Sequence, residues 1–196
     1  EIWAHVAGVR DLESGAPMRR DTVFAVASIG KPVTAVSALM LVEHGALGLD
    51  DPVDPWLPEL ADRRVLRRLD GPLDDTVPAE RAITLRDLLS MRMGFGAIFA
   101  DPAAVPIASR MQELGVAPAP QLFGDDADAF VARLRALPLV HQPGERWLYH
   151  TGLDVAGVLV ARASGMSLGA FQRQRLFEPL GMSDTAFFAP AAMADR

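Results

Sequence analysis

Apolar positions in this chain fall into blocks with recognisable periods. From Val33 to Val42 nearly every residue is apolar, which predicts a helix buried on most of its faces. It opens near Ser28 and stops at Gly45. Before it, residues 2–10 (IWAHVAGVR) and 21–27 (DTVFAVA) read as strands. The turn-rich DLESGAPMRR joins them, so a hairpin should lead into the helix. Beyond Gly45, LGLDDPVDPWLPEL is too rich in Asp and Pro for a regular element. Its Leu47, Leu49, Val53, Trp56 and Leu57 are expected to clamp it to the core.

The run RRVLRRL (63–69) reads as a solvated strand or short helix in preference to a site for an anionic partner, and DGPLDD as a turn. Thr84-Leu85-Arg86-Asp87 has the form of a capping box, opening a helix through Met91. Gly94 to Gly124 is the least regular stretch; a loop of that length in a compact domain fits a role in lining a site. Residues 126–137 (DADAFVARLRAL) alternate as an amphipathic helix ended by Pro138. HQPGERWLYH (141–150) combines a Pro-Gly turn with a short aromatic strand. Gly152–Ala163 predicts a second apolar helix closed near Gly165, and Ser167–Leu180 a last one stopped by Gly181.

Composition narrows the function classes. A net charge of −6 and no interleaving of aromatic with basic residues argue against a nucleic-acid binder. The chain has no cysteine, so neither disulfides nor thiolate metal sites arise, and the histidines at 5, 44, 141 and 150 lack metal-ligand spacing. No cofactor is expected. No apolar run reaches the ~20 residues of a membrane span. With no signal peptide in view, a soluble, cytoplasmic protein is the expectation, although the N-terminus lacks Met and begins inside a strand-like pattern.

Candidate chemistry sits where the first apolar helix begins. Ser28 and Lys31 are three apart, on one helix face and within reach of each other. A serine hydroxyl needs a neighbouring base to become a nucleophile. Lysine can be that base when burial disfavours its charged form. N–H groups left unpaired at a helix N-terminus can help hold an oxyanion. Pro32 has no N–H to offer the Ser28 carbonyl, so the first turn should be irregular. Ser-x-x-Lys is also a common helix cap followed by a solvated lysine. Lys31, however, is the only lysine among nineteen lysines and arginines, and arginine cannot act as a base. Tyr149, the only tyrosine, ends a short strand just before a buried helix, where site residues are frequent. It reads either as a proton shuttle or as a core aromatic; the neighbouring His150 is given no catalytic role.

FAVASIGKPVTA, ITLRDLLSMRMGFG, HQPGERWLYHTGLDVAGVLVARASG and LFEPLGMSDTAF, in that order, resemble the serine β-lactamase-related family. Class C β-lactamases, D-alanyl-D-alanine carboxypeptidases and esterases share that fold. The resemblance implies an α/β (α+β type) fold, an antiparallel sheet flanked by helices plus a mostly helical lobe. Residues 1–50 and 146–196 would belong to the α/β lobe and 51–145 to the helical one, as a single catalytic unit. It implies Ser28 as acylated nucleophile, Lys31 as base or proton relay and Tyr149 as general base.

Two departures shape the expectation. Where the family's second motif reads Tyr-x-Asn, this chain has Tyr149-His150-Thr151; Thr151 is then the substrate-binding residue, and it holds an amide less fully than asparagine. An ester or amide small molecule is the implied substrate, with carboxylesterase-like activity ahead of β-lactamase activity. The alternative is a non-catalytic ligand-binding or penicillin-binding module. Family members also continue into strands bearing a third motif, Lys/His-x-Gly, and nothing after Thr185 matches it. The fold is therefore expected to be incomplete at the C-terminus, with impaired activity and an open sheet edge that invites a homo-oligomer or a complementing C-terminal segment.

Overall fold

A computed structural model describes residues 3–101, 104–118, 126–189, 193 and 196. Helix α1 (Gly30–Glu43) follows a tight turn at Ala27–Ile29, the irregular start that Pro32 required. It ends at Gly45, whose φ of 73° lets the following N–H groups reach back to the Leu41 carbonyl. Its burial differs from expectation. The covered stripe is Thr34, Ser37, Ala38 and Leu41, whereas Val36 and Leu39 stay exposed at 42% and 44%. Small side chains face inward because α1 lies close against another helix; the Thr34 and Ser37 hydroxyls are satisfied by the Gly30 and Val33 carbonyls of α1 itself.

That neighbour is α5 (Thr151–Ser164), whose residues from Thr151 to Val160 are buried except Asp154. Each fully buried Leu or Val contributes about 1.5–3 kcal/mol, so this helix anchors the core. It ends at Gly165 in the left-handed conformation (φ 67°), as its sequence predicts. The preceding segment 47–60 docks on the chain around Ile83–Arg86 through Val53 N–H to Ile83 O and Arg86 N–H to Leu49 O. Val53 and Leu57 are buried, and Trp56 remains partly exposed. Arg162 of α5 ties this segment down by forking onto Glu59 at 2.8 Å through each nitrogen and bonding Asp128.

The sheet is small. Strands β1 (Arg64–Leu66) and β2 (Thr76–Pro78) pair antiparallel, Val65 opposite Val77, across the DGPLDD turn. Leu139 adds a parallel bridge beside Val65. The arginine run is thus a strand, with Arg67 on Asp75 and Arg68 on Asp70, but it is not wholly solvated: Val65 and Leu66 are buried, and so is Arg63. The expected pairing of 2–10 with 21–27 does not form among the described residues: the one antiparallel bridge there joins Val9 to Pro17, inside the segment read as the turn. The side chains of both segments lie outside the core, Trp3 84% and Phe24 65% exposed, and an unsupported hairpin is marginal in water.

Helix α2 (Leu85–Leu89) opens with the capping box foreseen at Thr84 and Asp87. The stretch read as irregular contains helix α3 (Pro106–Glu113), started by Pro106 and buried through Ile107, Ala108 and Met111. Residues 102–103 and 119–124 of that stretch lie outside the described ones. Helix α4 (Ala127–Arg135) matches its pattern and is capped by Asp126. The last predicted helix is shorter: α6 (Leu168–Gln172), capped by Ser167, passes into a wider turn at Arg173–Phe177 before Gly181. Among the described residues no single helix is long and apolar enough to cross a membrane.

Arg63 secures the end of α4. The residue is 8% exposed and its guanidinium has no carboxylate partner among the described residues. Instead it donates to the carbonyls of Arg135, Leu134 and Leu137, the negative end of the helix dipole. Burial, with Arg135 nearby, pulls its pKa down to about 10, so it stays protonated near neutral pH. Arg63→Ala should lower the unfolding free energy by about 2–4 kcal/mol, because buried carbonyls lose their donor. Arg63→Lys should recover only part, since an ammonium cannot fork across three carbonyls. Urea denaturation followed by tryptophan fluorescence measures both, and a near-neutral alanine variant would refute this role.

Candidate functional site

The tight turn at the head of α1 exposes Ser28 on the surface, and two side chains converge on its hydroxyl. Lys31 Nζ, one helical turn on, donates to Ser28 Oγ at 3.2 Å. Tyr149 OH, 121 positions away in sequence, donates to the same oxygen at 2.8 Å. The ammonium also lies 5.1 Å from the centre of the phenol ring, a cation–π contact. Trp147, 57% exposed, stacks on the other partner of this group, its ring 5.7 Å from that of Tyr149. The chain's one lysine and one tyrosine therefore meet on one serine.

The backbone around the three is strained. Four non-glycine residues among those described have positive φ: Ala27 (44°), Asp62 (51°), Met91 (57°) and His150 (91°). Three of them border the site: Ala27 precedes Ser28, His150 follows Tyr149, and the Met91 carbonyl accepts the Leu148 N–H. Such conformations cost about 1–3 kcal/mol each and persist only where the surroundings over-determine them. The short aromatic strand expected within 141–150 is an extended stretch held by single bonds, Leu148 N–H to Met91 O and Ala97 N–H to Tyr149 O. The start of the Gly94–Gly124 stretch thus touches Tyr149 through its backbone.

Close backbone packing fixes this stretch from both ends. A Cβ on Gly152, in the first turn of α5, would lie 2.6 Å from the Leu88 carbonyl oxygen of α2. Gly144 donates its N–H to the Arg92 carbonyl at 2.7 Å, lies against the Arg81 guanidinium, and has a φ of 86° that excludes most other residues. Arg81 in turn forks onto Asp87, at 2.5 and 2.9 Å, and Thr84 adds its N–H and hydroxyl, each at 2.9 Å. The α2 capping box is also the brace of the Tyr149 segment.

Of the residues singled out in the sequence, Ser28, Lys31 and Tyr149 come together and Thr151 does not join them. Thr151 is 1% exposed and makes no hydrogen bond to any of the three. The neighbouring polar side chain is the half-buried His150, whose Nδ1–H donates to Asp154 Oδ2 at 2.8 Å. Its ring meets that of Tyr149 edge-on, 5.8 Å between centres. The signal for this pair lay in the i,i+4 spacing of a histidine and an aspartate across the start of a predicted helix. Among the described residues no group of three or more His, Asp or Glu side chains could hold a metal.

A serine on a strained turn before a core helix, with a lysine one turn on and a tyrosine from a distant segment, defines an SxxK-type serine site. The chain belongs to the Beta-lactamase family, whose sequence model matches residues 1–196. Its fold is β-lactamase/transpeptidase-like, helices with a small antiparallel sheet. Protein Rv1367c of Mycobacterium tuberculosis (strain ATCC 25618 / H37Rv) is 43% identical over 184 residues, 94% of this chain and 44% of the relative. Esterase EstB of Burkholderia gladioli is 37% identical over 186 residues, 95% and 44% of the two chains. The solved structure of EstCE1, a hydrolase with promiscuous acyltransferase activity, superposes with a TM-score of 0.79 at 28% identity. It matches 97% of this chain and 46% of its own. The chain spans less than half the length of these relatives.

Asp87 makes the brace pH-dependent. Burial alone would raise its pKa, but Arg81 and the Thr84 donors outweigh it and hold the carboxyl below the usual range. With the folded value depressed, its contribution is full above the unfolded value of about 4 and is lost as pH falls through the folded one. The wild-type urea midpoint should therefore drop more steeply between roughly pH 5 and pH 3 than that of Asp87→Asn. Parallel pH profiles for the two proteins would show that Asp87 is not the linked group.

Proposed function

We propose that this chain carries the nucleophile of a serine hydrolase acting on esters through an acyl-Ser28 intermediate. The observation that supports it most is the pair of hydrogen bonds on Ser28 Oγ from Lys31 and Tyr149. Both partners donate to that oxygen, so one of them must be deprotonated before it can take the serine proton. Each is within direct proton-transfer reach. Lys31 is assigned as base or relay during acylation, and Tyr149 as general base in acylation or deacylation. The Ser28 oxygen then bonds to the substrate carbonyl carbon, and the leaving alkoxide takes a proton from the same pair. Water, deprotonated in its turn, releases the acid and restores the serine. The Ser28 N–H, which makes no hydrogen bond among the described residues, suits an oxyanion donor.

Esters are favoured over lactams. The position where the family resemblance puts an amide-holding asparagine is a buried threonine, and EstB is named an esterase. A substrate contact from Thr151, 1% exposed, would need that hydroxyl to reach out of the core. The two-lobe division, residues 1–50 with 146–196 against 51–145, belongs to the same reading; Ser28, Lys31 and Tyr149 would all come from the first lobe. Phe24, Val26, Ile29, Val36 and Leu39 leave an exposed apolar surface beside the site. It fits a complementing segment equivalent to the part of the relatives that this chain does not span.

An active-site-directed fluorophosphonate should label the protein, and Ser28→Ala should abolish labelling. Labelling that survives the substitution sinks the assignment. Lys31→Arg keeps the charge without the basicity and should lower p-nitrophenyl acetate turnover by about 10²-fold or more. Undiminished turnover in that variant would remove Lys31 from the proton path.

A further inference from the structure

We infer that His150, held by Asp154, is a positioning residue for the Tyr149 phenol. The chain must turn sharply between the extended Trp147–Tyr149 stretch and the first turn of α5, where Leu153 N–H returns to the His150 carbonyl. His150 makes that turn at φ 91° and ψ −77°, a conformation open to glycine and strained for histidine. Glycine would relieve the strain. What it would remove is a ring fixed on one side by Asp154 Oδ2 at 2.8 Å and set edge-on against Tyr149 on the other. A strained residue that persists beside a reactive group points to a role in that group's placement.

Tyr149 needs such a constraint. Its side chain is only partly buried, and its hydroxyl must stay within hydrogen-bond distance of a serine on another element. Trp147 stacks on the phenol and the Lys31 ammonium lies over its ring; the His150 imidazole, 5.8 Å between centres, is a third group against it. Of the three, the imidazole is itself anchored, by Asp154 in the first turn of α5, so it offers the phenol a fixed wall. The pair acts through Tyr149 and does not touch the Ser28 oxygen.

His150 matters to catalysis only if Ser28 is the nucleophile proposed above, so the test carries one readout that needs no activity. Tyr149 is the chain's only tyrosine, so nitration by tetranitromethane, followed by intact mass, reports on that phenol alone. In His150→Gly the folded protein should nitrate several-fold faster than wild type, with an unfolding midpoint no lower. Asp154→Ala should do the same with the backbone untouched, and the double variant should add nothing further. Fluorophosphonate labelling of Ser28 should slow about tenfold in each, and His150→Asn, which tolerates positive φ and can still donate to Asp154, should recover part of it. Wild-type nitration rates in both single variants overturn the positioning role. A wild-type protein that resists the fluorophosphonate sinks the hydrolase reading alone, and nitration still decides the role of His150.

Discussion

Close packing of α1 on α5 is the constraint on which the site depends. Ser28 and Lys31 belong to the head of α1, and Tyr149 sits two residues before α5, so the distance between the helix axes sets the distance between hydroxyl and phenol. That approach is possible because the facing side chains are small. Thr34, Ser37 and Ala38 line α1, and Gly157 of α5 has Thr34 Cγ2 3.8 Å from where its Cβ would stand. Larger groups would part the helices, and packed cores absorb added volume poorly. Leu168 of α6 closes the same spot, 2.9 Å from the absent Cβ. Core packing and site geometry are one problem here.

A second constraint acts along the chain. Tyr149 sits in a stretch with one ladder-type bond on either side, too few to fix a side chain by sheet pairing alone. Position is supplied by backbone contacts at Gly144 and Gly152, by the Arg81–Asp87 fork under the turn, and by the strained bends at Met91 and His150. These features raise the local cost of the fold and restrict its alternatives. In exchange they hold a phenol 2.8 Å from a serine on another element.

Much of this was legible in the chain, for reasons that can be named. The α4 and α5 boundaries, the Thr84 capping box and the glycine stops at 45 and 165 followed from local rules, because caps and left-handed positions are decided within a few residues. The meeting of Ser28, Lys31 and Tyr149 was legible only through motif order, since nothing local links positions 121 apart. What failed to show were features set by tertiary contact. The buried face of α1 is its small-residue face, which a hydropathy pattern ranks below Val36 and Leu39. Arg63 reads as a surface charge until its three carbonyl partners at and just beyond the end of α4 are in view. The 2–10 and 21–27 segments have strand composition, but composition does not supply a neighbour to pair with.

The division of labour between arginine and lysine follows from the same geometry. Among the described residues every ion pair that uses a lysine or arginine uses arginine: Arg162 forks onto Glu59, Arg81 onto Asp87 and Arg86 onto Asp50. These tasks reward a planar, permanently charged group with paired donors. Lys31 has no carboxylate partner among the described residues. Its ammonium is spent on a hydroxyl and the face of a phenol, where a fork has nothing to grip. A point charge on a flexible stem suits that position and none of the others. The single lysine is thus explained by what surrounds it, and its placement supports the proposed role of Ser28 more firmly than the four-letter motif does.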